Sequence, residues 1–155
     1  MNDCHHACEI LPGFIVGGTW NLREILALKP DVLVPLDSLT GYIWETGFRG
    51  EILYYPIQDM RVLPDDVLSR LVKEILAGLD AGKRTAVFCA GGHGRTGYVA
   101  ACVLAARGIA DPVRWLREHY CGFAVESGLQ EQAVEKFKAD LDAHRQKQSA
   151  GADCG

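Results

Sequence analysis

Residues 88 to 97 read Phe88-Cys89-Ala90-Gly91-Gly92-His93-Gly94-Arg95-Thr96-Gly97, with a thiol and a guanidinium six positions apart across a glycine-rich turn. A cysteine thiolate is a nucleophile, and an arginine can hold two oxygens of one phosphate. Glycines let such a loop curl so that its amide N–H groups face a single point, because no Cβ blocks them. Amides converging at the start of a helix, reinforced by the helix dipole, make an anion site. A thiol at the base of that site is favoured as its anion, since cysteines at helix N-termini fall from about 8.5 to as low as about 3.5. Thiolate attack on phosphorus, with donors ready for the equatorial oxygens, is a sufficient catalytic design that calls on no metal or cofactor.

A cysteine followed six positions later by arginine is weak by itself. The chain has six cysteines, which give about 0.3 chance occurrences at ordinary arginine frequency. Glycines at 92, 94 and 97 together with Thr96 reduce that by more than ~10³. The loop lacks the Gly-x4-Gly-Lys-Ser/Thr of ATP-binding loops.

The elements around the motif fit this chemistry. Ala86-Val87-Phe88 reads as a buried strand running straight into Cys89, and Thr96 to Arg107 reads as a helix apolar on nearly every side, hence interior. Phe14-Ile15-Val16, Asp31 to Leu36 and Glu51 to Ile57 are further strand candidates. Asn21 is placed to cap a short helix from Leu22 to Leu28, and Pro64 to open an amphipathic one with Asp65 and Asp66 in its first turn. Asp111-Pro112 starts another helix through Tyr120, and Ser127 a last one to about Gln146. Strands alternating with helices predict an α/β, three-layer fold: a central, mainly parallel sheet of four to five strands flanked by helices. The expected organisation is a flexible N-terminus over 1–9, a single domain over 10–147 and a disordered tail over 148–155.

With 155 residues, 48% hydrophobic, 23% charged and a net charge of -4, the chain reads as one ordinary globular domain with no footprint for nucleic acid. It has no apolar run long enough for a bilayer and no signal-peptide pattern, so the expected location is the cytoplasm, where thiols stay reduced. The Cys4-His5-His6-Ala7-Cys8 cluster reads as a frayed terminus in preference to a metal site, because structural zinc sites draw ligands from two separated segments. Cys102, on the apolar helix, reads as core. Tyr42, Trp44 and Phe48 either rim a pocket or pin their loop.

The segment from Cys89 to Gly97 resembles the signature of the cysteine-dependent protein tyrosine and dual-specificity phosphatases, His-Cys-x2-Gly-x-Gly-Arg-Thr/Ser-Gly. It matches at Cys89, Gly92, Gly94, Arg95, Thr96 and Gly97. Further likeness, from Ile10 to Gly18 and at Ala124-Val125-Glu126-Ser127-Gly128-Leu129-Gln130, extends it over roughly residues 10 to 140. The resemblance implies a small dual-specificity-like phosphatase with Cys89 as nucleophile. The Ala90, Gly91, Gly92, His93 and Gly94 backbone and Arg95 would hold phosphate, and Thr96 would hydrogen-bond the sulfur and help it leave. Phe88 stands where the family has a histidine, and the family's basic residue before Ala-Ile-Glu is missing, with Tyr120-Cys121-Gly122-Phe123 instead.

In that family an aspartate some thirty residues before the nucleophile, on a mobile loop, protonates the leaving group. Asp59 occupies that place, with Asp65 and Asp66 as alternatives; the other reading of Asp59 is a turn residue. Glu126 and Gln130 are candidates for positioning water, while Ser127-x-x-Gln130 also reads as a capping box. His93 either faces an acidic ligand or points to solvent. Cys121 is a candidate partner for an oxidised Cys89. The implied substrate is a phosphorylated protein, at phosphotyrosine and then phosphoserine or phosphothreonine. A non-catalytic phosphate-binding module, or an enzyme acting on phosphoinositides, inositol phosphates or RNA 5′ ends, stays open.

Overall fold

The computed structural model describes residues 6–38, 43 and 45–152, with side chains to Ser149. Five strands form one sheet: β1 (Cys8–Leu11), β2 (Phe14–Gly18), β3 (Val32–Pro35), β4 (Glu51–Ile52) and β5 (Thr85–Cys89), in the order β1-β2-β5-β3-β4. All neighbours are parallel except β1 and β2. The helices are α1 (Leu22–Ala27), α2 (Asp65–Asp80), α3 (Gly94–Ala106), α4 (Pro112–His119) and α5 (Gly128–Ala152). A 3₁₀ turn, Thr19–Asn21, leads from β2 into α1.

Strand side chains alternate between faces, and the two hydrophobic clusters follow that period. Phe14, Val16, Val34, Val87 and Cys89 belong to the larger cluster, with residues of α2, α3, α4 and α5. Ile15, Leu33, Ala86 and Phe88 belong to the smaller one, with Ile25 of α1. The result is the expected three-layer α/β fold. Helix α3 lies in the interior, every residue from Thr96 to Ala105 being buried.

Three boundaries differ from expectation. Strand pairing begins at Cys8, ahead of the boundary expected at residue 10, because Pro12-Gly13 makes a tight hairpin turn with Gly13 at φ 80°. Strand β4 is two residues long where Glu51 to Ile57 was expected. Beyond Ile52, Leu53 N–H donates to Leu33 O of β3 (2.9 Å), and Ile57 N–H donates to Leu36 O (2.9 Å), one residue past the end of β3 at Pro35. The last helix continues to Ala152, past Gln146. Asn21 stands at the start of α1 without a side-chain cap bond.

Candidate active site

Parallel strands β2 and β5 end side by side, with Gly18 opposite Cys89. Ligands of open α/β sheets bind at such carboxyl ends. The loop from Cys89 to α3 folds back across Gly17 and Gly18 so closely that neither surface tolerates a side chain. A Cβ on Gly92, whose φ is +78°, would lie 2.7 Å from the Gly17 carbonyl carbon, and one on Gly18 would lie 2.8 Å from that of Gly91.

The loop's carbonyls are tied outward. Ala90 O accepts from Thr19 N–H (3.1 Å), while the Thr19 hydroxyl gives its one hydrogen to Asp37 and lies 3.4 Å from Cys89 O. Gly92 O accepts from the Tyr120 hydroxyl (2.7 Å), and His93 O from the N–H groups of Gly97 (3.0 Å) and Val125 (3.2 Å). In a planar trans peptide the next N–H points opposite to the C=O. Amides of Gly91, His93 and Gly94 are therefore directed to the inner side of the loop, where an anion would sit. Burial, and then the Cys89 sulfur, push the Tyr120 phenol above its usual range, so Tyr120 stays a donor.

Cys89 is a free thiol, 2% exposed. Thr96 Oγ1 lies 3.1 Å from its sulfur and 3.3 Å from Gly17 O, and its single hydrogen serves one or the other. Arg95 donates from one terminal nitrogen to Ile57 O (3.0 Å) and brings the other to 3.7 Å from Asp59. Its Nε is the one buried side-chain nitrogen or oxygen among the described residues without a hydrogen-bond partner. A buried donor of that kind calls for an acceptor from outside the protein. Asp59, 70% exposed, lies in the loop between β4 and α2. The alternative acid Asp65 pairs instead with Lys136 of α5.

The chain between α4 and α5 closes the other side. Gly97 admits it: a Cβ there would lie 2.6 Å from Val125 N. Arg117 of α4 holds this segment by donating to Ala124 O (3.0 Å) and Val125 O (2.9 Å). Ser127 and Gln130 form the capping box: Gln130 N–H donates to Ser127 Oγ (3.2 Å), and Gln130 Oε1 accepts from Ser127 N–H (3.2 Å). The Glu126 carboxylate is exposed and within 3.2 Å of where a Gly94 Cβ would stand, at the start of α3.

Residues 44–148 match a phosphatase-domain family, PTP-SAK, described as Swiss Army Knife protein, DSP-PTPase phosphatase domain. The chain belongs to the PTP-SAK family. An uncharacterized protein of Methanocaldococcus jannaschii, MJ0215, is 37% identical over 142 residues, covering 88% of this chain and 89% of that one. The crystal structure of Tk-PTP in its active form superposes with a TM-score of 0.75 at 24% identity, over 86% of this chain and 96% of that one. Human DUSP28 gives 0.72 at 16% identity, over 90% and 98%. These two share the fold.

In this PTP-SAK domain the residues read from sequence as a site, Cys89 to Thr96 with Asp59, Glu126 and Gln130, gather around one loop. Phe88 faces away from it, into the smaller core beneath α1. Sequence reading missed Thr19, Tyr120 and Arg117, which brace the loop and its neighbour, and Tyr98, whose hydroxyl accepts from Leu63 N–H (3.3 Å) at the end of the Asp59 loop. Thr19 is in turn held by the buried Asp37 (2.8 Å). A tyrosine on an otherwise apolar stretch, as at Tyr98, was the available signal, because a buried phenol needs a partner. His93 turns its Nδ1 to Cys121 Sγ (3.3 Å), and its ring meets that of Phe123 in a T-shaped contact. Cys89 being free, no Cys89–Cys121 bond is formed. Cys4, His5, Tyr42, Trp44 and Cys154 lie outside the described residues. Among those described, no helix is long and apolar enough to cross a membrane.

Proposed function

We propose that this PTP-SAK domain hydrolyses phosphomonoesters on proteins, phosphotyrosine foremost, through a phosphocysteine intermediate on Cys89. The observation that most supports this reading is the Thr96 hydroxyl 3.1 Å from Cys89 Sγ, beside an arginine with a buried, unpartnered Nε. A module that only bound phosphate would need neither the thiol nor the hydroxyl on it.

In the first step the Cys89 thiolate attacks phosphorus. The S–P bond forms, the P–O ester bond breaks, and Asp59 gives its proton to the departing oxygen. Inward amides and Arg95 take up the charge on the equatorial oxygens. In the second step water attacks phosphorus, Asp59 takes its proton, and the S–P bond breaks. Thr96 then donates its hydrogen to the released thiolate. Glu126 is the better candidate to orient that water, because the Gln130 amide is fully buried and already bonded.

The test is turnover of p-nitrophenyl phosphate in the presence of a chelator. Cys89→Ser is expected to lower it by about 10³-fold or more while leaving phosphate binding in place. Binding without Cys89-dependent turnover would make the domain a capture module instead. Asp59→Ala, run against phosphopeptides and phosphoinositides, sorts the substrate class.

A further inference from the structure

Asp59 occupies the second position of a tight turn closed by Arg61 N–H donating to Gln58 O at 2.9 Å. The third position is Met60 at φ 66°, a left-handed conformation that glycine or asparagine adopts readily and methionine does not. Asp59 Oδ1 accepts from Met60 N–H (3.1 Å), so the direction of the acid depends on that left-handed residue. Left alone, such a turn would relax.

Two side chains at the start of α5 hold it. Ser127 Oγ donates to Met60 O at 2.8 Å, and Gln130 Nε2 donates to Arg61 O at 3.3 Å. Gln130 is itself fixed, being 0% exposed with Oε1 accepting from Glu126 N–H (3.0 Å) and Ser127 N–H (3.2 Å). Arg95, donating to Ile57 O, tethers the opposite end of the loop.

We propose that Ser127, backed by Gln130, is a positioning residue for the proton donor: its hydroxyl latches the strained Asp59–Met60 turn to α5 and keeps Asp59 aimed at the leaving-group oxygen. The inference rests on the roles of Cys89 and Asp59 proposed above. The latch matters in proportion to the leaving group's need for a proton. Nitrophenolate departs nearly unaided, whereas phenolate requires protonation.

The experiment compares kcat/KM for p-nitrophenyl and phenyl phosphate. Ser127→Asp keeps an acceptor for the helix cap and removes the donor to Met60 O. Ser127→Ala removes the donor without adding charge, and Ser127→Thr keeps both functions. Ser127→Asp and Ser127→Ala are each expected to lose about tenfold on phenyl phosphate and less than about twofold on the nitrophenyl ester. Ser127→Thr is expected to match the wild type. Adding Met60→Asn to Ser127→Ala should recover most of the loss, because asparagine accepts the left-handed turn unaided. Equal losses on both esters, no loss on phenyl phosphate, or a loss confined to Ser127→Asp would overturn the latch. If the wild type shows Cys89-dependent turnover and these variants are flat, the latch alone fails. If neither ester is turned over by the wild type, the proposed function fails and takes the latch with it.

Discussion

Arg95 carries two tasks with one guanidinium. One terminal nitrogen is bonded to Ile57 O at 3.0 Å, the other stands 3.7 Å from Asp59, and Nε is buried without a partner. The ion pair contributes little stability, because Asp59 is 70% exposed and water screens it. The planar fork does more, joining the Asp59 loop to the start of α3 through a rigid group. Lysine cannot reproduce that, being a single point of charge. Arg95→Lys is expected to lose about 10²- to 10³-fold in kcat/KM toward p-nitrophenyl phosphate with an unchanged far-ultraviolet circular dichroism spectrum. A variant within about threefold of wild type would show that the inward amides suffice.

Among the elements, α3 and the segment before α5 meet at close range. Val125 is β-branched yet sits at φ 65°, a strained conformation that persists only when its surroundings over-determine it. Arg117 supplies part of that constraint through the carbonyls of Ala124 and Val125, and Val125 N–H supplies more by donating to His93 O. Gly97 makes the approach possible, since a methyl there would meet Val125 N at 2.6 Å. Gly97→Ala is expected to cost about 2 kcal/mol in urea denaturation, and to lower activity beyond that by pushing Glu126 off the loop. Unaltered stability would mean that the segment yields more easily than its clamps imply.

For the whole molecule, the interior around α3 fixes the response to alkaline pH. Burial pushes the Cys102 thiol well above its usual range and does the same to the Tyr98 phenol. A group whose folded pKa is raised contributes stability that is fully present below its unfolded value and is lost as pH rises beyond it. For the thiol that loss starts near pH 8.5, at up to about 1.4 kcal/mol per pH unit, and the phenols join from about pH 10. Urea midpoints are expected to fall steadily from about pH 8.5 to 10.5, and Cys102→Ala to flatten the first part of that fall. A pH-independent midpoint in the native protein across this window would contradict the burial of Cys102.

The loop from Cys89 to Gly97 was legible because its chemistry is local. The thiol proposed as nucleophile, the glycines, the arginine and the hydroxyl all fall between Cys89 and Gly97, and the apolar character of the flanking segments announced a buried strand and a buried helix. The order of strands and helices from β2 onward followed from hydrophobic periodicity for the same reason, whereas β1 fell partly in the stretch read as a flexible terminus. What only the tertiary structure decided is which distant groups press the loop into shape. Thr19 lies 70 residues from Cys89, Tyr120 lies 28 from Gly92, and Ser127 lies 67 from Met60. The strain at Met60 and Val125 was equally invisible, because neither residue type favours a left-handed backbone and only its partners hold it there. Periodicity reports which face a residue turns inward; it carries no information about the hydroxyl or carbonyl that meets it from another element.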